Sequence, residues 1–391
     1  MIKRILEIAL QWTIASLLLF IPMHAQTNFA RPFCYSAGAT DECRNNFLVG
    51  VDYLCWKIQN SPESTPLVIQ GSTPPLVLGT PNASVILGGK KIDTGWRSGA
   101  RVTLGFNRNR CYGTELNYFF LPNESKKYSV SSDGSPLLSV PYFNVVTFTE
   151  DSTPIASSLL SLGGSAMINL TNKMQGAEWN ALVTVSKFIV LAGLRYWNFK
   201  EQITFSTNSP FNPPHVADVY TTKDVFNTKN NFYGGQLGLA WEYDYSCVSL
   251  TVKGKIALGA MRESSVINGR LVTNDYNGFG AVLEYPGGYF ALPTNSGKYH
   301  QTKFAAIPEF NFNVGYQPFD WMQIKLGYTF VYVSSVLWAG KQIDRTINPT
   351  QAVSYTGAVP PQLLGDASPK ACLKTNGLWV QGLNVGMEFR F

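Results

Sequence analysis

Alternation of apolar and polar positions recurs ten times along the chain and predicts ten β-strands. Strand side chains point to opposite faces with a period of two. In the last stretch Trp379, Gln381, Leu383, Val385, Met387, Phe389 and Phe391 share one face, and Val380, Gly382, Asn384, Gly386, Glu388 and Arg390 share the other. The same pattern runs through 47–57, 99–106, 112–121, 176–185, 188–199, 232–245, 248–259, 304–316 and 321–333. One face of each is apolar and rich in aromatics; the other carries Gly, amides and charges. No charged side chain falls on the apolar face in the core of any strand. Arg or Lys at the midplane of a lipid-facing strand costs roughly 2–4 kcal/mol, so that absence fits strands facing hydrocarbon.

The connections alternate in length. Long ones (58–98, 122–175, 200–231, 260–303, 334–377) are rich in Pro, Gly, Ser and Thr and read as loops; short ones (107–111, 186–187, 246–247, 317–320) read as turns. A soluble β-sandwich has no reason to alternate so strictly. Outer-membrane barrels have short periplasmic turns, long outer loops and, with an even strand number, both termini inside. The prediction is therefore all-β: a transmembrane antiparallel up-and-down β-barrel of about 10 strands, or twelve if 122–175 hides a hairpin. Aromatics gather at strand ends as headgroup-level girdles require. Phe106, Tyr112, Tyr243, Tyr245, Tyr316, Trp321 and Phe389 mark the periplasmic level, and Tyr53, Tyr196, Tyr233, Tyr332 and Trp379 the outer level.

Composition agrees. Charged residues make up 14% of the chain, against roughly 25% in soluble proteins. Lys3 and Arg4, the apolar run 8–21 and Ala25 read as a secretory signal peptide over 1–25. An N-terminal periplasmic segment, 26–46, follows, and then a single barrel, 47–391. Apolar runs elsewhere are too short for a transmembrane helix, so a closed barrel is the remaining way to span a bilayer. Removing Lys3, Arg4 and Glu7 lowers the formal charge from +6 to +5. With no basic run or helix-turn-helix pattern, nucleic acid is not an expected partner. The expected partners are outer-membrane lipid, the barrel-assembly machinery through the C-terminal strand ending in Phe389 and Phe391, and small hydrophilic solutes.

The inward faces carry the candidate chemistry. Asp52, Glu115, Glu178, Glu242, Asp244, Glu309 and Glu388 face Arg101, Arg195, Lys253, Lys255, Lys325 and Arg390. Ten strands lie near the size at which side chains fill the interior. These groups either pair as a salt-bridged core, since unpaired buried charge is costly, or line a selective pore.

The chain resembles the beta-barrel porin family seven, outer-membrane barrels of diderm bacteria. The resemblance rests on Val51-Asp52-Tyr53-Leu54, Pro74-Pro75-Leu76-Val77, Gly88-Gly89, the stretch from Phe232 to Leu239, the stretch from Lys253 to Gly259, Gly327-Tyr328-Thr329-Phe330, the stretch from Gln342 to Asn348, and the end from Gln381 to Phe391. It covers nearly the whole mature chain. It implies a porin passing small hydrophilic solutes and supplies no catalytic residues. Cys55 departs from the family, which is usually more aromatic there.

Six cysteines in an oxidising compartment suggest disulfides. First and last strands are neighbours in a closed barrel, so Cys55–Cys372 is expected to bridge the seam and Cys34–Cys43 to close a local periplasmic loop. Cys111 and Cys247 fall in short turns, either free or paired. Neither a Cys-x-x-Cys metal site nor a cofactor is expected. Ten-stranded outer-membrane proteases use His and Asp at the outer rim, and His215 and His300 lie near long loops with Asp218 and Asp275 nearby in sequence. Without a nucleophile elbow or phosphate loop, no enzyme is expected. The main alternative to a porin is a closed barrel displaying large surface loops, structural or adhesive.

Overall fold

The computed structural model describes residues 46–62, 65–108, 112–211, 219–274 and 282–391. The expected signal peptide, the segment with Cys34 and Cys43, Cys111, His215, Asp218 and Asp275 lie outside the described residues.

Sixteen strands are described: β1 (Asn46–Ile58), β2 (Pro66–Gly71), β3 (Ser84–Gly88), β4 (Trp96–Arg108), β5 (Tyr112–Ser132), β6 (Leu137–Asn144), β7 (Thr149–Ala156), β8 (Gly164–Val185), β9 (Phe188–Pro210), β10 (Val219–Tyr245), β11 (Val248–Asn274), β12 (Val282–Pro286), β13 (Gly297–Phe319), β14 (Met322–Leu337), β15 (Thr346–Ile347) and β16 (Thr375–Arg390). Ten of them close an antiparallel barrel in the order β10-β9-β8-β5-β4-β1-β16-β14-β13-β11, with β10 pairing back onto β11. First and last strands pair along Leu48↔Arg390 to Ile58↔Val380. At the short-turn end, Ser186 and Ser246 hold positive φ (58° and 55°), the backbone sense that two-residue hairpin turns require.

The predicted faces are observed. Leu104, Leu116, Trp179, Val190, Leu194, Leu237, Leu239, Leu326, Leu383 and Val385 are exposed on the outside of the wall, an apolar belt for lipid. The hairpin in the second long connection exists as β6–β7, but it pairs outside the barrel wall, so the wall keeps ten strands.

The strands are longer than their apolar belts. At roughly 3.3 Å per residue, the 27 residues of β10 extend about 90 Å, or about 65 Å of height at a tilt near 40°. The lipid-facing band needs about 25 Å. Much of 200–231 and 260–303, expected as loops, is therefore strand continuing above the membrane. There the polarity of the wall inverts. In β9, Val190 and Leu194 are exposed below while Arg195 points in; above, Ile203 and Phe205 point in at 0% exposure and Gln202 and Thr204 face out. Below, hydrocarbon surrounds the barrel and polar groups retreat inside; above, water surrounds it and apolar groups do.

What those upper apolar faces pack against comes from the loops. β2, β3, β6, β7 and β15 form a second, five-stranded sheet from the first, second and fifth long connections. Leu67, Val68, Leu138, Val140 and Ile347 of this sheet share one buried cluster with Ala166, Ile168 and Leu170 of β8, Ile203 and Phe205 of β9, Phe226 of β10 and Ile267 of β11. The cap is thus packed into the mouth of the barrel.

Candidate functional site

The candidate site is the lumen, which is filled in tiers. The lowest is charged. Glu178 on β8, Arg195 on β9, Lys255 on β11 and Glu309 on β13 form a closed quartet in which each acid meets both bases: Arg195 to Glu178 at 3.6 Å and Glu309 at 2.6 Å, Lys255 to Glu178 at 2.7 Å and Glu309 at 3.0 Å. Their side chains are 1–6% exposed. Two contacts are cross-strand neighbours fixed by register, Glu178↔Arg195 and Lys255↔Glu309; the other two reach past intervening strands. Small residues on β10 leave space for them. A Cβ on Gly238 would lie 2.9 Å from Lys255 Cγ. Gln236, between Gly234 and Gly238, donates through Nε2 to Glu178 at 3.1 Å and to Asn180.

Other predicted charges extend this tier. Lys253 reaches Glu115 at 3.5 Å, Arg101 lies 4.0 Å from Asp52, and Glu388 pairs with Lys325 and with Arg390 at 3.0 Å. Glu242 and Asp244 differ: they are exposed at the short-turn mouth, beside a cavity of about 200 Å³ shared with Thr184 and Lys187. A polar chain leads upward, with Thr329 Oγ1 donating to Asn311, Asn384 Nδ2 to Thr329 at 2.7 Å, and Trp56 Nε1 to Asn384 at 2.7 Å.

Trp56 belongs to the next tier, which is apolar and was not foreseen. Trp56, Trp197, Phe199, Phe232 and Trp338 are at most 1% exposed. They cluster with Leu54 of β1, Met174 of β8, Met261 of β11, Ile307 of β13, Val333 of β14 and Val380 of β16. Trp338, from the fifth long connection, stands edge-on to Phe199 at 5.5 Å. The sequence signal was present but unread: at Trp56-Lys57-Ile58 and Tyr196-Trp197 the upper strand ends lose their polar inward face.

Polar residues of the upper wall tie the loops down. Asn230 accepts from Leu337 N at 2.8 Å through Oδ1 and donates to Leu337 O at 3.1 Å through Nδ2. Glu201 accepts from Ala339 N at 2.8 Å. Asp224 accepts from the backbone N–H groups of Tyr289, Phe290 and Ala291 at 2.9–3.1 Å. A Cβ on Gly288 would fall 2.0 Å from Asp224 Oδ1, so the fourth connection passes here only as glycine. Burial pushes the Asp224 and Glu201 carboxyls up to about 7, outweighing the N–H groups that favour their ionised forms.

A family model described as "Putative beta barrel porin-7 (BBP7)" matches residues 48–391. The chain belongs to this family. This chain is an outer-membrane β-barrel. Similar solved structures include the outer membrane protease OmpT from Escherichia coli (9% identity, 92% of this chain and 100% of that one, TM-score 0.40), the toluene transporter TodX of P. putida (9%, 88% and 89%, 0.22) and a FadL homologue of Pseudomonas aeruginosa (8%, 89% and 90%, 0.21). Comparison with curated proteins gives no match.

Two expectations about the cysteines fare differently in the structure. The Cys55–Cys372 bridge is not made, and both thiols are free. The register explains why. Cys55 sits opposite Leu383, whereas Cys372 precedes the start of β16 at Thr375. More than eight strand residues at roughly 3.3 Å each separate the two levels, and a disulfide needs Cα atoms within about 7 Å. Cys247 is disulfide-bonded, with its partner outside the described residues. His300 is exposed on β13, opposite Ser264.

Proposed function

We propose that the protein is a sealed outer-membrane barrel that carries a folded surface sheet, rather than an open diffusion pore. One observation carries this reading: the apolar tier crosses the lumen above the charged quartet, with its five aromatic residues at most 1% exposed. Burying a large apolar side chain stabilises by roughly 2 kcal/mol, so exposing all five to a water-filled channel costs on the order of 10 kcal/mol. Thermal opening is correspondingly rare. The paired charges below then serve as barrel core rather than as a selectivity filter. In this reading the cap, which bears the exposed Phe148 and Leu159, is the working surface, and no catalysis is assigned.

The family's porin description favours a second reading, passive diffusion of small hydrophilic solutes, which requires the fifth connection to carry Trp338 out of the lumen. Osmotic swelling of proteoliposomes in small sugars separates the two. The sealed barrel gives swelling no faster than protein-free liposomes, while a variant lacking 338–374 swells. Rapid swelling with the intact protein sinks the sealed reading.

A further inference from the structure

Above the lipid-facing belt, the outer wall of β5, β8, β9, β10 and β11 carries an ordered polar patch. The register stacks it in rows. The lowest is aromatic: Tyr118, Tyr196 and Tyr233, with Tyr118 and Tyr196 both opposite Ala177 and Tyr196 opposite Tyr233. Next come Gln175, Asn198, Asn231 and Arg262. Tyr196 Oη donates to Asn231 Oδ1 at 3.3 Å, Asn198 Nδ2 donates to the same oxygen at 2.9 Å, and the Arg262 guanidinium lies 5.7 Å from the Tyr233 ring centre. Above these, Lys173, Lys200 and Lys229 are direct neighbours on three adjacent strands.

Three lysines side by side are destabilising on their own, because like charges directly opposite in a sheet repel. Among the described residues none of the three makes an ion pair, nor does Arg262. The outward positions around them hold Asn169, Thr171, Gln202, Thr204, Asn227 and Ser264, none acidic. Burial and the flanking Lys173 and Lys229 both hold the Lys200 ammonium below its ordinary range. An arrangement that the fold itself leaves uncompensated calls for an external anion.

Its height says which one. Lys229 lies four residues above Tyr233 on β10. That is about 13 Å along the strand and about 10 Å of height at a tilt near 40°. The polar layer of a bilayer leaflet is about 5–8 Å deep, and tyrosines mark its inner edge. The lysines therefore stand at the outer margin of the headgroups, with amides and a stacked guanidinium between them and the hydrocarbon.

We propose that this patch binds the phosphorylated sugar headgroup of an outer-leaflet glycolipid. The lysines and Arg262 contact phosphate, Asn231 and Gln175 the sugar hydroxyls, and the tyrosines the acyl boundary, while the buried Asn198 holds Asn231 in place. Charge-assisted bonds to phosphate are the strong ones, and the apolar belt directly below keeps the acyl chains of the same lipid within reach.

Full-length protein in non-ionic detergent, titrated with a bisphosphorylated glucosamine lipid and separately with a zwitterionic phospholipid, tests the site, with bound lipid counted by native mass spectrometry. The wild type binds the glycolipid at least tenfold more tightly. The triple variant Lys173→Gln, Lys200→Gln, Lys229→Gln loses that preference, and the matching triple Arg variant keeps it. Heat-modifiable mobility on gels reports folding; should the Gln triple misfold, Arg262→Gln and Lys200→Gln singly each weaken glycolipid binding severalfold. Equal affinity for both lipids, or an unchanged preference in the folded Gln variants, overturns the proposal. So does displacement by inorganic phosphate at the glycolipid's own concentration, which identifies a site for free anions.

Discussion

Arg195 and Glu309 meet at 2.6 Å across the lumen although β10 and β11 lie between their strands in the wall. That contact joins two cross-strand pairs into a neutral, closed quartet. Without Arg195, Glu178 and Glu309 share Lys255 alone. Removing one partner of a buried charge network costs roughly 3–5 kcal/mol, so Arg195→Met lowers stability by about that amount in urea titrations of the refolded protein. Arg195→Met combined with Glu309→Gln restores neutrality and costs less than the single change. Equal or additive losses would remove the quartet from the barrel's core energetics.

Asn230 holds both backbone groups of Leu337, as a neighbouring strand would. Asn230→Ala leaves a buried N–H and C=O without that partner, each worth roughly 1–3 kcal/mol. Hydrogen exchange across 337–353 accelerates in this variant, while the belt residues of β8 and β9 stay protected. Unchanged exchange in the fifth connection would show that Asn230 is not its anchor.

Asp224 sets a pH dependence. Its folded carboxyl titrates at about 7, whereas an unfolded Asp titrates near 3.9. Between these values the folded protein holds a proton that the unfolded chain has released. Its stabilising contribution is therefore complete below about pH 4 and is lost as pH rises toward 7. Glu201 adds the same sign. Asp224→Asn flattens the melting-temperature profile between pH 4 and 7, and a profile of unaltered slope would contradict this assignment.

The ten lower strand segments, their faces and the rhythm of their connections were legible because each obeys one alternation. The upper halves were not, because the alternation reverses its sense. In β9 the outward, even positions are apolar up to Leu194 and polar from Asn198 to Thr204, while the inward, odd positions turn from Gly193 and Arg195 to Trp197, Phe199, Ile203 and Phe205. Such a reversal reads like a one-residue register slip, which swaps faces, and so like the end of a strand. Physically nothing slips; the surroundings change from lipid to water while the strand continues. The lumen charges were legible one by one from parity, but their partners were not, since Arg195–Glu309 depends on barrel curvature and on small residues in β10.

Cys55 and Cys372 are separated by strand register and carry free thiols. Alkylation of the denatured, unreduced protein followed by peptide mapping labels both, whereas Cys247 is labelled only after reduction. A Cys55–Cys372 cross-linked peptide would require a register other than Cys55↔Leu383.

Single-channel recording in planar bilayers addresses the sealed lumen most directly. The intact protein, inserted and verified as folded, gives no stepwise conductance at low voltage, and Trp338→Gly with Phe199→Gly gives openings or flicker by thinning the aromatic tier. Steady, reproducible open-channel steps from the intact protein would contradict a lumen closed by Trp56, Trp197, Phe199, Phe232 and Trp338.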